Sequence, residues 1–394
     1  MSSELTVVAP ECESAGRPMP LPRPPPQSVL ILGAYGAFGR RITDALARTT
    51  DLPIIAAGRR IPDAPGASDR IYPIAIDAMA LGVAQLQALN PRVLIDIVGP
   101  FQARDRRLAI VCIGSGIHYI DLADGREFVA GVGVLNASAL QHDVLIVSGA
   151  STVPALSSAV IDRLAEDFSA IEEIEIGIAP GYLGPRGLAT IRSILGYVGR
   201  SIPIWRNTRL ESAHGWSSGT RHRYPPPVGV RDLSLVDVPD TALLPVRFAN
   251  LQQLTVRAGI EVPLVHHLLS LLGVLVRNGL ISDLARHAKL LHHLAAWFDG
   301  AGSDNGAMHV RLRGRDTNGC PSSRTWTLVA EHGDGPQIPA TAAVLLAKKL
   351  LGVPGYAPLT RRGAMPAVGL LELQEFEREW LSLAIRTSVT NETG

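Results

Sequence analysis

The chain has 394 residues, 46% of them hydrophobic, enough to bury a sizeable core and to fill two domains. A formal net charge of +1, with no basic stripe interleaved with aromatics, gives no electrostatic case for a nucleic-acid partner. The three cysteines, Cys12, Cys112 and Cys320, are too few and too scattered for a disulfide framework or a cysteine-based metal site, and the apolar run Leu5 to Ala9 is too short for an export signal, so a cytoplasmic setting is expected.

Residues 1–27 are rich in proline without an apolar period and read as a disordered tail. Val29 to Leu32 is a short apolar run of the kind that forms a buried strand, and it ends at Gly33. Glycines at Gly33, Gly36 and Gly39 then lead into a helical pattern with Phe38, Ile42, Ala45 and Leu46 on one face. Strand, glycine turn and helix together predict a dinucleotide site. Glycine allows the tight turn and close backbone approach, while the free N–H groups of the helix start face a pyrophosphate. A second strand, Pro53 to Ala57, ends at Gly58-Arg59-Arg60, where an arginine suits the 2′-phosphate of NADP and an acid would suit NAD. NADP is therefore the expected cofactor, the alternative being that Arg59 and Arg60 are solvated loop residues.

Tyr72 to Ile76 makes a third strand, followed by Asp77, which could contact the adenine side or cap the next helix. Helix Ala80 to Leu89 leads to strand Arg92 to Val98, and the loop Gly99-Pro100-Phe101 after it is expected beside the nicotinamide. Helix Arg106 to Gly114, strand His118 to Leu122, helix Glu127 to Gln141 and strand Val144 to Val147 continue the alternation. The fold class is thus α/β, a Rossmann-type doubly wound parallel sheet over residues 28–154. Ser151, in the loop after the sixth strand, is a further cofactor-side candidate.

After Pro154 the alternation stops and a second, α+β domain is expected over residues 155–340. Ile171 to Ile178 reads as a longer strand, Leu188 to Val198 as a helix, Thr208 to Val230 as irregular, and Met308 to Gly314 with Arg324 to Glu331 as paired strands. Two apolar segments, Val262 to Val276 and Ile281 to Phe298, are too short to span a membrane. They read as helices packing on a sheet or on another subunit, with peripheral membrane contact as the alternative. The histidines show no metal-binding spacing, so no metal is expected. Gly215-Trp216-Ser217-Ser218-Gly219 fits a G-x-S-x-G pattern but lacks the strand before and the helix after that a nucleophile elbow requires.

Seven stretches carry a family resemblance: GAYGAFGR at Gly33 to Arg40, AGR at Ala57 to Arg59, DIVGPF at Asp96 to Phe101, HYIDLADG at His118 to Gly125, SGASTVP at Ser148 to Pro154, GDGPQIP at Gly333 to Pro339 and RGAMPAVGLLELQEF at Arg362 to Phe376. In this order the chain resembles the saccharopine dehydrogenase-like family, in particular its smaller bacterial members. The resemblance implies an NADP-binding N-terminal domain, a second α+β domain with an open mixed sheet, and helices over residues 341–386 that return to the first domain; residues 387–394, outside it, are expected to form a disordered tail. It also implies that Tyr35, Ala37 and Phe38 line the pyrophosphate loop, that Arg59 meets the 2′-phosphate, and that Gly99 to Phe101 neighbour the nicotinamide. The family's named enzymes reduce an imine formed from an amine and a keto acid, or oxidise the secondary amine back.

Hydride transfer also needs a group that manages a proton. The three lysines stand away from the nicotinamide-side loops, so the candidates at the sheet's carboxyl edge are His118, Tyr119, Asp121, Asp124 and Glu127, with Asp124 first and Tyr119 second. Asp124 could equally cap the following helix. Arg186, Arg192 or the Arg221 to Arg223 region could hold a substrate carboxylate. The expected activity is NADP-dependent oxidoreduction at a C–N or C=O bond of a small molecule. A catalytically silent NADP-binding protein is the alternative, and the absence of Tyr-x-x-x-Lys argues against a short-chain dehydrogenase. The apolar segments of the second domain lead us to expect a homodimer.

Overall fold

The structure, a computed structural model, describes residues 25, 27–63, 68–102, 104–185 and 187–392. The expected proline-rich tail falls almost wholly outside the described residues, and Arg186 lies outside them too. The first half of the chain comprises β1 (Val29–Leu32), α1 (Ala37–Thr49), β2 (Ile54–Gly58), β3 (Ile71–Ala75), α2 (Val83–Leu89), β4 (Val93–Asp96), α3 (Arg107–Gly114), β5 (His118–Asp121), α4 (Arg126–Ala130), α5 (Asn136–Gln141) and β6 (Leu145–Ser148). Next come α6 (Ser157–Ala165), β7 (Phe168–Ala179), α7 (Leu188–Tyr197), β8 (Ser201–Arg206), β9 (Arg209–His214), β10 (Thr220–Arg223), β11 (Val230–Leu235), α8 (Asp240–Arg247), β12 (Gln253–Ala258) and α9 (Pro263–Arg277). The chain closes with α10 (Ala288–Ala296), β13 (Gly306–Asp316), β14 (Pro321–Ala330), α11 (Ile338–Leu350), β15 (Gly363–Pro366), α12 (Leu373–Trp380) and β16 (Ile385–Glu392).

Every residue of β1, β4, β5 and β6 is buried, which requires cover on both faces and so a parallel sheet with helices on either side. Its order is β15-β6-β5-β4-β1-β2-β3, with all pairs parallel. The chain builds outward from β1 to β3, then restarts on the other side of β1 with β4. That reversal opens a crevice beyond the carboxyl ends of β1 and β4. The second sheet runs β10-β11-β12-β7-β13-β14-β16, with β8 on β12 and β9 on β8. It is mixed, because β12 and β7 are parallel while β7, β13 and β14 pair antiparallel.

The two sheets share one core. Ile31 and Ile95 from the first, Val310 and Trp326 from the second, and Leu345 and Leu346 of α11 belong to a single buried cluster. Helix α11 is buried on all sides from Ala340 to Lys349, as expected for a helix apolar around its circumference. Its two lysines end in ion pairs with α12, Lys348 with both oxygens of Glu379 at 2.8 Å and Lys349 with Glu375 at 2.5 Å.

Four expectations are corrected. The tail expected over 387–394 is ordered through Glu392, where it belongs to β16, which pairs with β14 from Ala330 to Ser323 and covers an otherwise unpaired edge; residues 393–394 lie outside the described residues. The segment 341–386 contributes β15 to the parallel sheet as well as helices. Much of the stretch read as irregular forms β9 and β10, polar edge strands with no buried face to impose an apolar alternation. The helix expected over 127–141 is broken by a 3₁₀ turn at Gly131–Leu135, where two glycines weaken the α-helix.

Lys348→Ala, which leaves Glu379 without its cation, is expected to cost about 3–5 kcal/mol in urea unfolding; a loss below about 1 kcal/mol would show that the pair does not hold α11 to α12.

Candidate functional site

The first part of the site is the turn after β1. Gly33 has φ +85°, a conformation that favours glycine, and its N–H bonds to the Ala57 carbonyl at 2.9 Å, tying the turn to β2. Extended Gly36 precedes α1 without a side-chain cap, and no acidic residue occupies the helix's first turn. The amides of Ala37 and Phe38 are therefore left for an anion. A Cβ on Gly39 would lie 2.1 Å from the Gly33 carbonyl oxygen, so the helix approaches the turn as closely as the backbone allows.

Tyr35 does not present its ring as a simple lining. The ring lies over Gly58 and its hydroxyl donates to the Ala56 carbonyl at 2.9 Å, so the side chain fastens the turn to β2. Phe38 packs its ring on the core. Arg59 and Arg60 follow β2 as exposed side chains with no ion-pair partner among the described residues, open to a phosphate. Asp77 accepts from the Met79 N–H at 3.0 Å and so caps the turn ahead of α2. The donors and the missing Cβ atoms fit a dinucleotide pyrophosphate, and the end of β2 fits an added phosphate.

The second part is the loop after β4. Asp96 is fully buried, and its carboxylate accepts from the Val98 N–H at 3.0 Å, from Arg104 at 2.9 Å and from the Tyr119 hydroxyl at 3.1 Å. Burial raises its pKa, and the Arg104 guanidinium works against that rise. Arg104 also donates to the Val98 carbonyl and stacks on Phe101, whose ring packs on Phe128 at 5.4 Å. Gly99 and Pro100 are held between this anchor and α7, since a Cβ on Gly99 would lie 3.5 Å from Ala189.

Asp124 sits on the loop after β5, where both domains hold it. Gln102 Nε2 donates to one carboxylate oxygen at 3.0 Å and the Ser193 hydroxyl of α7 to the other at 2.8 Å. Burial raises its pKa, partly offset by these bonds. Tyr197 lies one turn further along α7, and burial, with the nearby charges of Asp124 and Asp237 adding to it, pushes its pKa up. Its hydroxyl has no hydrogen-bond partner among the described residues. Gln102, Ser193 and Tyr197 carried no signal in the sequence: Ser193 is 69 positions from Asp124 and sits on an ordinary amphipathic helix.

The other candidates separate. Tyr119 is corrected from a proton donor to a core residue, 2% exposed and committed to Asp96. Its strand is covered on both faces, so an alternate position there meets core and not ligand. His118 is buried, accepts from the Leu145 N–H at 2.9 Å, and has its pKa pushed down to about 4 by burial and the nearby Arg92 and Arg362. One oxygen of Asp121 accepts from the Ala123 and Gly149 amides and the Ser148 hydroxyl, while its other oxygen is buried without a partner. Ser151 follows in the same loop, partly exposed, its N–H bonded to the Gly149 carbonyl at 2.8 Å. Glu127 and Arg192 are exposed, and Arg221 lies on β10 paired with Asp232 at 3.1 Å. Among the described residues no cluster of His, Cys, Asp or Glu is placed to hold a metal ion, and no helix is long and apolar enough to cross a membrane.

Two outcomes follow from this geometry. Gly39→Ala is expected to weaken NADPH binding at least tenfold, read by calorimetry, because the added carbon forces α1 off the turn; unchanged affinity would contradict the close approach. Burial pushes the Asp121 pKa up from 3.8 to about 7. The folded state thus keeps a proton that the unfolded chain releases, and this contribution is complete below about pH 4 and lost as pH rises toward 7. Between pH 5 and 7, Asp121→Asn should lose less stability than the wild type by roughly 1–3 kcal/mol in denaturant titrations; parallel pH slopes would contradict the assignment.

Residues 29–162 match the family model described as the saccharopine dehydrogenase NADP binding domain. Solved structures with a similar fold include apo histidine-tagged saccharopine dehydrogenase (L-Glu forming) from Saccharomyces cerevisiae, at 12% identity and a TM-score of 0.64, covering 92% of this chain and 100% of that one. A mutant meso-dapdh from Clostridium tetani E88 has 13% identity, a TM-score of 0.44 and coverage of 89% and 96%. Amine dehydrogenase from Mycobacterium smegmatis has 10% identity, a TM-score of 0.44 and coverage of 85% and 96%. No curated protein sequence matches the chain.

Proposed function

We propose that this chain, whose residues 29–162 form a saccharopine dehydrogenase-type NADP-binding domain, is an oxidoreductase that moves a hydride to or from a C–N or C=O bond of a small molecule. The observation that carries the reading is Asp124, a carboxylate with a raised pKa held by Gln102 of the cofactor-side loop and Ser193 of the second domain. The fold shared with the yeast saccharopine dehydrogenase supports it and favours the C–N bond.

NADP, when bound, supplies or accepts the hydride. The residues of this chain do the rest. The amides of Ala37 and Phe38 would hold the pyrophosphate, Arg59 would meet the 2′-phosphate, and the Gly99 to Phe101 loop, anchored through Asp96 and Arg104, would neighbour the nicotinamide. Hydride addition to carbon leaves an electron pair on nitrogen or oxygen that must take a proton, and the reverse reaction must remove one. Asp124 manages that proton, because Gln102 and Ser193 fix its direction and burial raises its pKa. The unpartnered Tyr197 hydroxyl beside it is available to orient the substrate heteroatom.

The test follows NADPH consumption with pairs of amines and keto acids and with simple ketones. Asp124→Asn should lower kcat by about 100-fold or more while leaving NADPH affinity unchanged. If NADPH binds tightly and no substrate in the panel turns over, the protein is a silent NADP-binding protein and the proposal fails.

A further inference from the structure

Helix α9 turns apolar side chains to two opposite sides. His266, Leu269 and Gly273 are buried against the second domain, where a Cβ on Gly273 would lie 3.3 Å from Val198 and 3.4 Å from the Gly199 nitrogen. Leu264, Leu268, Leu271 and Leu275 are spaced 4, 3 and 4 residues apart. At 100° per residue they fall in one stripe about 60° wide that points away from the buried side. Leu264, Leu268 and Leu271 are 54, 46 and 56% exposed, and Leu275 is partly exposed. A helix apolar on both sides is normally buried on both. Here the outer stripe is open among the described residues.

The 4-3-4 spacing is that of a seam between two helices, in which each apolar knob enters a hole on the facing helix. The positions flanking the stripe are Val265 and Leu272 on one side and His267 and Val274 on the other. No aspartate, glutamate, lysine or arginine of α9 borders it. Arg277 closes the helix at its far end and stands about 150° round from the stripe. The same spacing recurs in the α10 segment, where Leu290, Leu294 and Trp297 are exposed while Ala288 is buried on the other side. Helix α10 packs on α7, and Gly273 of α9 packs on Val198 and Gly199 immediately after α7, so both stripes belong to one helical layer.

The chemistry of the stripe selects its occupant. Helices that lie on a lipid surface carry lysine and arginine beside their apolar face, and this stripe has none beside it. A charged partner would call for countercharge at the same rim. A second copy needs neither, because it sets leucine against leucine and brings no like charges of α9 together. With Val274 and the three side chains of the α10 segment, the exposed apolar surface approaches the 800 Å² or so that each partner of a standard dimer buries, and exceeds what a monomer ordinarily leaves open. We propose that two copies of this chain form an isologous dimer in which the outer stripes of their α9 helices pack as a leucine seam, extended by the α10 stripes.

Sedimentation velocity of the full chain tests it. The wild type should be a dimer at micromolar concentration. Leu268→Asp combined with Leu271→Asp puts four carboxylates into the seam and should weaken association about 100-fold or more, leaving a folded monomer. NADPH affinity should be unchanged in that variant, which keeps this test independent of the cofactor site. Leu381→Asp, at an exposed leucine just past α12, should leave the dimer intact. If the double variant does not fold, hydrogen exchange of the wild type decides: the amides of residues 263–277 should exchange more slowly at micromolar than at nanomolar concentration. A monomeric wild type, a folded double variant that stays a dimer, equal dissociation by Leu381→Asp, exchange indifferent to concentration, or binding to phosphatidylglycerol vesicles in place of self-association would each overturn the proposal.

Discussion

Burying the Asp96 carboxylate at the end of β4 is the constraint on which the cofactor side of the molecule depends. An unpaired charge at that depth would cost several kcal/mol, so donors must be brought to it. The Val98 amide, Arg104 and Tyr119 are those donors, and satisfying them ties both Val98 and Arg104 to the end of β4. Arg104 folds back over Phe101, Phe101 packs on Phe128, and Gln102 is delivered to Asp124. A buried charge at one strand end thereby sets the geometry of a loop and, through it, the direction of a carboxylate on the next loop.

The second domain completes the site. Helix α7 brings Ser193 to Asp124 and places Tyr197 beside it, while α11 packs on α1 and on β4 and β5 of the first sheet. Its lysines illustrate the same electrostatic rule as Asp96: both are buried, and both are neutralised by glutamates of α12. The scarcity of lysine in this chain therefore matters chemically. With Lys348 and Lys349 committed to structure and Lys289 at the start of α10, the proposed proton handling is assigned to a carboxylate and a phenol.

Much of the first domain was legible in the sequence because its strands are buried on both faces and therefore read as unbroken apolar runs. The glycine turn was legible for a different reason: Gly33 takes a positive φ that favours glycine, and at Gly39 a Cβ would collide with the Gly33 carbonyl oxygen. The same burial concealed the role of Tyr119, since a strand covered on both sides gives no period to say which face meets ligand. In the second domain β9 and β10 are polar edge strands, and β16 is a segment ordered by pairing along the open edge of β14 and by the bonds of Arg386 and Thr387 to Glu331 and Glu377. Ser193 and Tyr197 were out of reach because their roles come from the packing of α7 against a loop some 70 residues earlier.

The central claim is that the carboxyl edge of the first sheet holds NADP, with Arg59 reading its 2′-phosphate. Calorimetric titration with NADPH and with NADH, on the wild type and on Arg59→Ala, tests it most directly. The account predicts tight NADPH binding that falls roughly 10- to 150-fold in the variant, the worth of one charged hydrogen bond, with NADH binding weakly and equally to both proteins. Equal affinity for the two nucleotides, or NADPH binding indifferent to Arg59, would contradict it.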